Sequence, residues 1–372
     1  MRRSHFAAWA PHCPVCARDR NQTPALLLSP DAAERDGDVL SGTLVCADAA
    51  CRAEYPIIDG IPVISAGVRQ LLRDRAIELL LRDDLPPDAL GLLGDALGPD
   101  SWLDVLRQTL STYGWDAFAD LDPAEAPSDV LRPGAARRCL QALLRLAGTM
   151  PDGPVLDLGC AAGRTSFELA AAAPGSLVLG IDNNLGLLRL ARRAATRGEV
   201  TYGRRRIGLV YDERRFAVDL PGRERVDFWA CDAAALPFTP GRAGLVAALN
   251  LLDCVPDPVA LLHAIVGALR PGGVLLLATP FDWAPRATPL EHWVGGHSQR
   301  GPLRGAAEPL LQMLLRAGEH GRAVAGATVL ATAEQDWHTR LHERSAVLYR
   351  SHLVAVRREN GSGSAGQVLG PR

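Results

Sequence analysis

The 372-residue sequence contains no lysine, so all 40 basic side chains are arginine. That absence removes a Schiff-base lysine, a lysine general base and a phosphate loop ending in Gly-Lys-Ser/Thr from the available chemistry. Long apolar runs are missing as well. Stretches such as Gly273 to Ala278 fall far short of the roughly 20 residues that span a bilayer. Met1-Arg2-Arg3-Ser4-His5-Phe6 leads into no signal-peptide core, so the expected setting is cytoplasmic, without a membrane partner. Nor is there an excess of charge. The 40 basic and 42 acidic residues leave a net −2, with a pI near 6.5. The chain lacks the global basic footprint of a protein that grips nucleic acid mainly by its phosphates.

What remains is an ordinary globular composition, 48 % hydrophobic and 22 % charged, at a length that suits two or three domains of roughly 150 residues. Residues 1–67 hold two cysteine pairs. Residues 68–150 show helical spacing punctuated by Pro86-Pro87, Gly98-Pro99 and Pro133-Gly134, which predicts a helical linker or cap. Residues 151–358 alternate short apolar strands with helical segments, and residues 359–372 read as a Gly/Ser-rich disordered tail. The strands predicted in the third zone are Val155 to Asp157, Leu177 to Asp182, Val226 to Cys231, Leu245 to Asn250 and Val274 to Thr279. Their alternation with helices predicts an α/β fold, a mainly parallel, doubly wound Rossmann-like sheet. Between the second and third strands, Ile207 to Tyr211 and Arg215 to Val218 read as an added hairpin.

The most informative segment is Pro154-Val155-Leu156-Asp157-Leu158-Gly159-Cys160-Ala161-Ala162-Gly163-Arg164, a buried strand running into a turn of small residues and then a helix. Small residues there let a ligand approach the backbone. The acid Asp157, two residues before the first glycine, would repel a pyrophosphate and suits a cationic ligand. Further on, Asp182 ends the second strand, where a carboxylate can accept both ribose hydroxyls. This pattern resembles the class I S-adenosylmethionine-dependent methyltransferases, with Ala161 in place of the middle glycine of their first motif. Ala230-Cys231-Asp232-Ala233 and Leu269-Arg270-Pro271-Gly272-Gly273 match later landmarks of that family. The resemblance implies that Asp157, Gly159, Cys160, Gly163, Asp182, Asn183, Asp232, Ala233 and Asn250 form an S-adenosylmethionine site, with Asp232 facing the adenine amino group.

Cys13-Pro14-Val15-Cys16 and Cys46-Ala47-Asp48-Ala49-Ala50-Cys51 are spaced so that four thiolates can surround one tetrahedral zinc. Together with Glu54 to Ile64 they resemble the zinc ribbon of the small activator subunit of tRNA, rRNA and release-factor methyltransferases. A closed shell of four cysteines implies a structural rather than a catalytic metal. A ribbon that has lost its metal is the other reading.

In doubly wound sheets, ligands lie outside the carboxyl ends of the strands, which makes Asn250 to Cys254 and Thr279 to Trp283 the expected acceptor wall. Glu291-His292-Trp293-Val294-Gly295-Gly296-His297 reads as a lid over it. Asp253, Asp282, His292 and His297 are therefore the expected acceptor contacts. Short stretches between Asn250 and Gly296 also resemble the methyltransferase half of ovothiol synthase, which implies a small-molecule acceptor. Two alternatives remain open. Arg192-Arg193, Arg197 and Arg204-Arg205-Arg206 could present RNA to a base methyltransferase, and a non-catalytic adaptor would use the ribbon alone. Tyr113 and Trp115 fit either an active-site cap or core packing. Cys160, Cys231 and Cys254 read as small buried residues, and His338 and His342 as strand or loop residues without a metal. The oligomeric state is not legible in the sequence.

Overall fold

The computed structural model describes residues 1–359 except 76, 77, 79–86, 129 and 317. The predicted tail, apart from Glu359, lies outside the described residues, as does part of the predicted helix around Leu79 to Leu81.

The chain opens with helices α1 (Arg3–Trp9) and α2 (Pro14–Arg20), followed by strands β1 (Leu26–Leu28), β2 (Ala33–Arg35), β3 (Asp38–Cys46), β4 (Glu54–Ile58) and β5 (Ile61–Ile64). Among the described residues, three helices come next: α3 (Val68–Asp74), α4 (Pro87–Leu97) and α5 (Trp102–Phe118), the last capped by Ser101, whose hydroxyl accepts the Asp104 N–H. A fourth, α6 (Ala135–Ala147), leads into β6 (Val155–Leu158), α7 (Arg164–Ala172), β7 (Val178–Asp182) and α8 (Leu185–Arg197). Helix α8 shows why such segments fold locally. Asn184 caps its start by accepting the Leu187 N–H, Leu185, Leu188, Ala191 and Ala195 recur on its buried face, and Gly198 ends it in a left-handed conformation.

A hairpin of β8 (Glu199–Ile207) and β9 (Val210–Ala217) follows. It is one long ribbon whose turn lies at Gly208 and Leu209, not a strand through Ile207 to Tyr211 as the local apolar run suggests. Gly208, at φ 54, supplies the turn that the run conceals. Then come β10 (Val226–Cys231), β11 (Ala243–Leu249), α9 (Pro258–Ala268), β12 (Leu269–Thr279), α10 (Ala307–Leu314), β13 (Ala327–His342) and β14 (Ser345–Arg358).

The central strands run in the order β10-β7-β6-β11-β12-β14-β13, all in one direction except β14, which is antiparallel to both β12 and β13. Side chains alternate between the two faces. Phe228 joins the core containing Phe118, Leu143 and Phe167 on the α5–α8 side, whereas its neighbour Trp229 joins Trp9, Leu262 and Ile265 on the α9 side. This is the doubly wound, Rossmann-like α/β sheet expected.

The N-terminal strands are not a separate sheet. Strand β5 pairs in parallel with β10, through Val63 opposite Ala230 and Ile64 opposite Cys231, so β4, β3 and β1 extend the central sheet. Arg192 on α8 ties the same junction, donating to Asp38 of β3 at 2.6 Å and to the buried Asp227 of β10 at 2.9 Å. Among the described residues, no helix is long and apolar enough to cross a membrane.

Candidate functional site

The five parallel strands end along one edge, and the connections leaving β6 and β11 diverge there, which opens a crevice at the carboxyl ends. A cavity of about 640 Å³ occupies it. Its wall includes Asp157, Gly159, Cys160, Asp182, Asn183, Asp232, Ala233, Asn250, Asp253 and Asp282. Residues expected at the site from four strand ends and one loop thus meet in one place.

Strand β6 delivers Asp157, which is 2 % exposed. Its Oδ2 accepts the Thr165 and Ser166 hydroxyls at 2.7 and 2.6 Å. Burial pushes its carboxyl up to about 6, against the pull of those two donors. The turn that follows is tied to β7, because the Gly159 and Cys160 N–H groups both donate to the Ile181 carbonyl, at 2.9 and 3.1 Å. Gly163 closes the turn at φ 84. A Cβ on it would lie 2.6 Å from the Phe228 ring, so only glycine lets α7 sit this close to the sheet. Its neighbours Ala162 and Arg164 line the cavity.

Asp182 ends β7. Its Oδ2 accepts the Ala161 N–H at 3.0 Å and its Oδ1 the Asn184 N–H at 2.8 Å, which fixes the carboxylate between the two turns. Burial raises its pKa despite these donors. Asp232 follows β10, is exposed on the wall, and its Oδ1 accepts the Ala234 N–H at 2.9 Å. Asn250 leaves β11 at φ 50, and its Oδ1 accepts the Ser351 hydroxyl at 3.0 Å.

The loops after β11 and β12 contribute a further part of the lining. Asp253 is 2 % exposed. Its Oδ2 accepts the Asp282 N–H at 3.0 Å, while its buried Oδ1 has no hydrogen-bond partner among the described residues. Burial, with the nearby Asp282 charge, pushes this carboxyl up to about 6. The cavity also has walls that were invisible in the sequence. Trp337 and Thr339 come from β13 and Tyr349 from β14, and Thr109 and Asp116 join Tyr113 from α5. Tyr113 is 46 % exposed on this wall, whereas Trp115 is buried in the core and donates its Nε1–H to Glu125 at 2.9 Å.

His292 and His297 are not brought to the wall. The Nδ1 of His292 lies 2.7 Å from the Pro256 carbonyl, and His297 bonds to Ser298 and to the Trp293 carbonyl. Their segment is held elsewhere by Trp293, which stacks on Trp283 and donates to the Thr288 carbonyl at 2.8 Å. Cys160 and Cys231 are buried as expected, but Cys254 is exposed and lies on the cavity wall, because the one-turn helix after β11 turns it outward. His338 lies within β13, and His342 ends that strand.

The four N-terminal cysteines form a second centre. Their Sγ atoms all lie within 4.8 Å of one another, with Cys13–Cys51 at 3.8 Å and Cys16–Cys46 at 3.7 Å. Four thiolates about 2.3 Å from one zinc would be spaced by about 3.8 Å in a tetrahedron, so the cluster fits that ion. Cys13, Cys16 and Cys46 are buried, and Arg20 donates to the Cys16 sulfur at 2.8 Å.

Residues 156–277 match the protein family described as a methyltransferase domain. The chain is similar to a trans-aconitate 2-methyltransferase of Methylobacterium radiotolerans, 30 % identical over 51 % of this chain and 62 % of that one. It is similar also to the ubiquinone biosynthesis O-methyltransferase of Haemophilus ducreyi, 30 % identical over 34 % of this chain and 44 % of the relative. A demethylmenaquinone methyltransferase of Renibacterium salmoninarum is 29 % identical over 43 % of this chain and 56 % of its own. The chain thus spans between 44 and 62 % of the length of these curated relatives. Among solved structures, the cyclase SpnF is similar at 17 % identity and a TM-score of 0.40, covering 64 % of this chain and 86 % of that one. The YcgJ protein of Bacillus subtilis is similar at 13 % identity and a TM-score of 0.37, covering 60 % of this chain and all of the other, 100 %.

Proposed function

We propose that this protein is an S-adenosylmethionine-dependent methyltransferase of a small-molecule acceptor. The observation that carries the reading is the cavity itself, which Asp157, Asp182 and Asp232 at the ends of three parallel strands line together with Asp253 and Asp282. The methyltransferase family match covers that strand set from β6 to β12. Curated relatives that act on small molecules are consistent with the acceptor class.

When bound, the cofactor supplies a methyl group activated on a sulfonium. In this reading, Asp182 accepts the ribose hydroxyls, Asp232 faces the adenine and Asp157 balances positive charge on the methionine portion. Gly159, Cys160, Gly163, Asn183, Ala233 and Asn250 shape the surrounding backbone. The chain otherwise has to hold the acceptor in line and exclude water. Asp253 and Asp282 meet the acceptor, and a protein base is needed only if its nucleophile begins protonated. Cys13, Cys16, Cys46 and Cys51 hold a structural zinc in a ribbon that braces the sheet edge beside Cys231 and Asp232.

Three of the six arginines on which an RNA face would depend are engaged with acids: Arg192 with Asp38 and Asp227, Arg204 with Glu125 and Asp212, and Arg206 with Asp212. A direct test offers the purified chain methyl-labelled S-adenosylmethionine together with a cell extract split into small-molecule, RNA and protein fractions. Label in the small-molecule fraction is the expected result. Label in RNA overturns the acceptor class, and label in none of the three supports the adaptor.

A further inference from the structure

The electrostatic character of the acceptor side is one-sided. Six aspartates line the cavity, at positions 116, 157, 182, 232, 253 and 282, against a single guanidinium, Arg164, among the described residues. Arg164 is already committed, donating to Asp120 at 2.7 Å and to Glu168 at 2.9 Å, and it is 6 % exposed. No histidine stands on the described wall. A carboxylate or phosphate on the acceptor would therefore meet like charge with no uncommitted cationic side chain among the described lining residues to pair it.

Not all six carboxylates are free to act. Asp116 spends both oxygens on the first N–H groups of α6, accepting from Ala135 at 2.6 Å and Ala136 at 3.1 Å. Asp157, Asp182 and Asp232 stand on the cofactor strands. Asp253 and Asp282 are left for the acceptor, and the Asp253 Oδ1 is a buried acceptor atom with no donor supplied by the described chain. An unmet buried acceptor in a residue that lines a cavity is costly unless something brings it a donor. The same cavity is lined by three aromatic rings, Tyr113, Trp337 and Tyr349. Aromatic faces attract cations and give anions nothing comparable.

We propose that the acceptor enters this cavity carrying a positive charge, selected by Asp253 and Asp282 together with the rings of Tyr113, Trp337 and Tyr349. The inference rests on the methyltransferase reading and narrows its substrate class to cationic small molecules. The charged group is the anchor and not the nucleophile, since a protonated ammonium has no lone pair. A second, uncharged atom of the same molecule is the one presented to the methyl donor.

The test uses the full chain with methyl-labelled S-adenosylmethionine and the small-molecule pool of a cell extract, separated by ion exchange at neutral pH into retained cations, retained anions and neutral flow-through. The proposal predicts label in the cation pool at ten times or more the level in the anion pool. Label mainly in the anion or neutral pool, or none in the cation pool, overturns it. Binding of S-adenosylhomocysteine to the same preparation is measured alongside, and its absence identifies a failure of the methyltransferase reading instead. Asp282→Asn, whose side chain is exposed on the wall, is expected to raise KM for the cation pool at least tenfold with its thermal midpoint and S-adenosylhomocysteine affinity unchanged. An unaltered KM in this variant also overturns the proposal.

Discussion

Arg192 donates to the carboxylate of Asp227 at 2.9 Å, in a setting where Asp227 is 1 % exposed. The second Asp227 oxygen accepts the Trp229 Nε1–H at 2.9 Å and the Arg2 N–H at 2.7 Å. Burial works against ionisation of this carboxyl, yet the neighbouring positive charge, Arg192 included, holds it well below the ordinary carboxylate range. Because Arg192 also reaches Asp38 of β3, one guanidinium joins the N-terminal strands to the central sheet.

Arg192→Met leaves Asp227 buried with one of its compensating charges gone, and losses of about 3–5 kcal/mol follow when a buried pair is broken from one side. Urea unfolding at pH 7 is expected to show a loss of that size. A change under about 0.5 kcal/mol, the usual size of a surface effect, would contradict the role assigned to the pair.

Gly163→Ala is expected to be costly for two reasons that act together. The backbone is at φ 84, and the new Cβ would meet Phe228 at 2.6 Å and Ala191 at 2.7 Å. Overpacking of this kind costs about 1–3 kcal/mol, before the strain of the positive φ. Chemical denaturation should show the loss, and weaker S-adenosylhomocysteine binding should accompany it as the turn is displaced. A variant as stable as the parent would show that α7 is not packed against β10 as described.

The four-cysteine cluster predicts one zinc per chain, measured by metal release with a thiol-modifying reagent and a colorimetric chelator. Cys16→Ser should lower the zinc content and the thermal midpoint together. Metal-free protein with four freely reacting N-terminal thiols and an unchanged midpoint would show that the cluster holds no metal.

Asp253 makes stability depend on pH in a definite direction. Its folded pKa is raised, from the model-compound 3.8 to about 6, so between roughly pH 4 and 6 the folded state binds more protons than the unfolded chain. Stability from this group is therefore present at low pH and is lost as pH rises through about 6. Asp253→Asn removes the effect. The thermal midpoint of the variant minus that of the parent should grow more positive from pH 5 to pH 7, whereas a constant difference would show that Asp253 is not held in the raised state. Acceptor turnover should change in the opposite sense, falling as pH drops below about 6 and the carboxylate is neutralised.

Much of the sheet was legible because its signals are local. The apolar run ending in Asp157, the small residues Gly159 to Ala162 and the acid at Asp182 each mark a strand end within a few positions of chain, and the structure places all of them at one crevice. Features made by long-range pairing were not legible. Nothing in Ile61 to Ile64 announces that this short strand pairs with Val226 to Cys231, more than 160 residues away in sequence. Trp337, Thr339 and Tyr349 reach the cavity only because β13 and β14 pair in one register, with Trp337 opposite Tyr349. The two histidines of the expected lid illustrate the converse. Their glycine-rich, polar neighbourhood is a local signal, but the stacking of Trp293 on Trp283, 6.1 Å between ring centres, decides where the segment lies.

The account turns on Asp182, whose two oxygens accept from Ala161 and Asn184 at the centre of the proposed cofactor site. Isothermal titration of the full chain with S-adenosylhomocysteine, run in parallel on Asp182→Ala and on the parent, tests it most directly. The account predicts one site per chain in the parent and an affinity loss of tenfold or more in the variant. Equal affinity in the two proteins, or no binding by the parent, would contradict it.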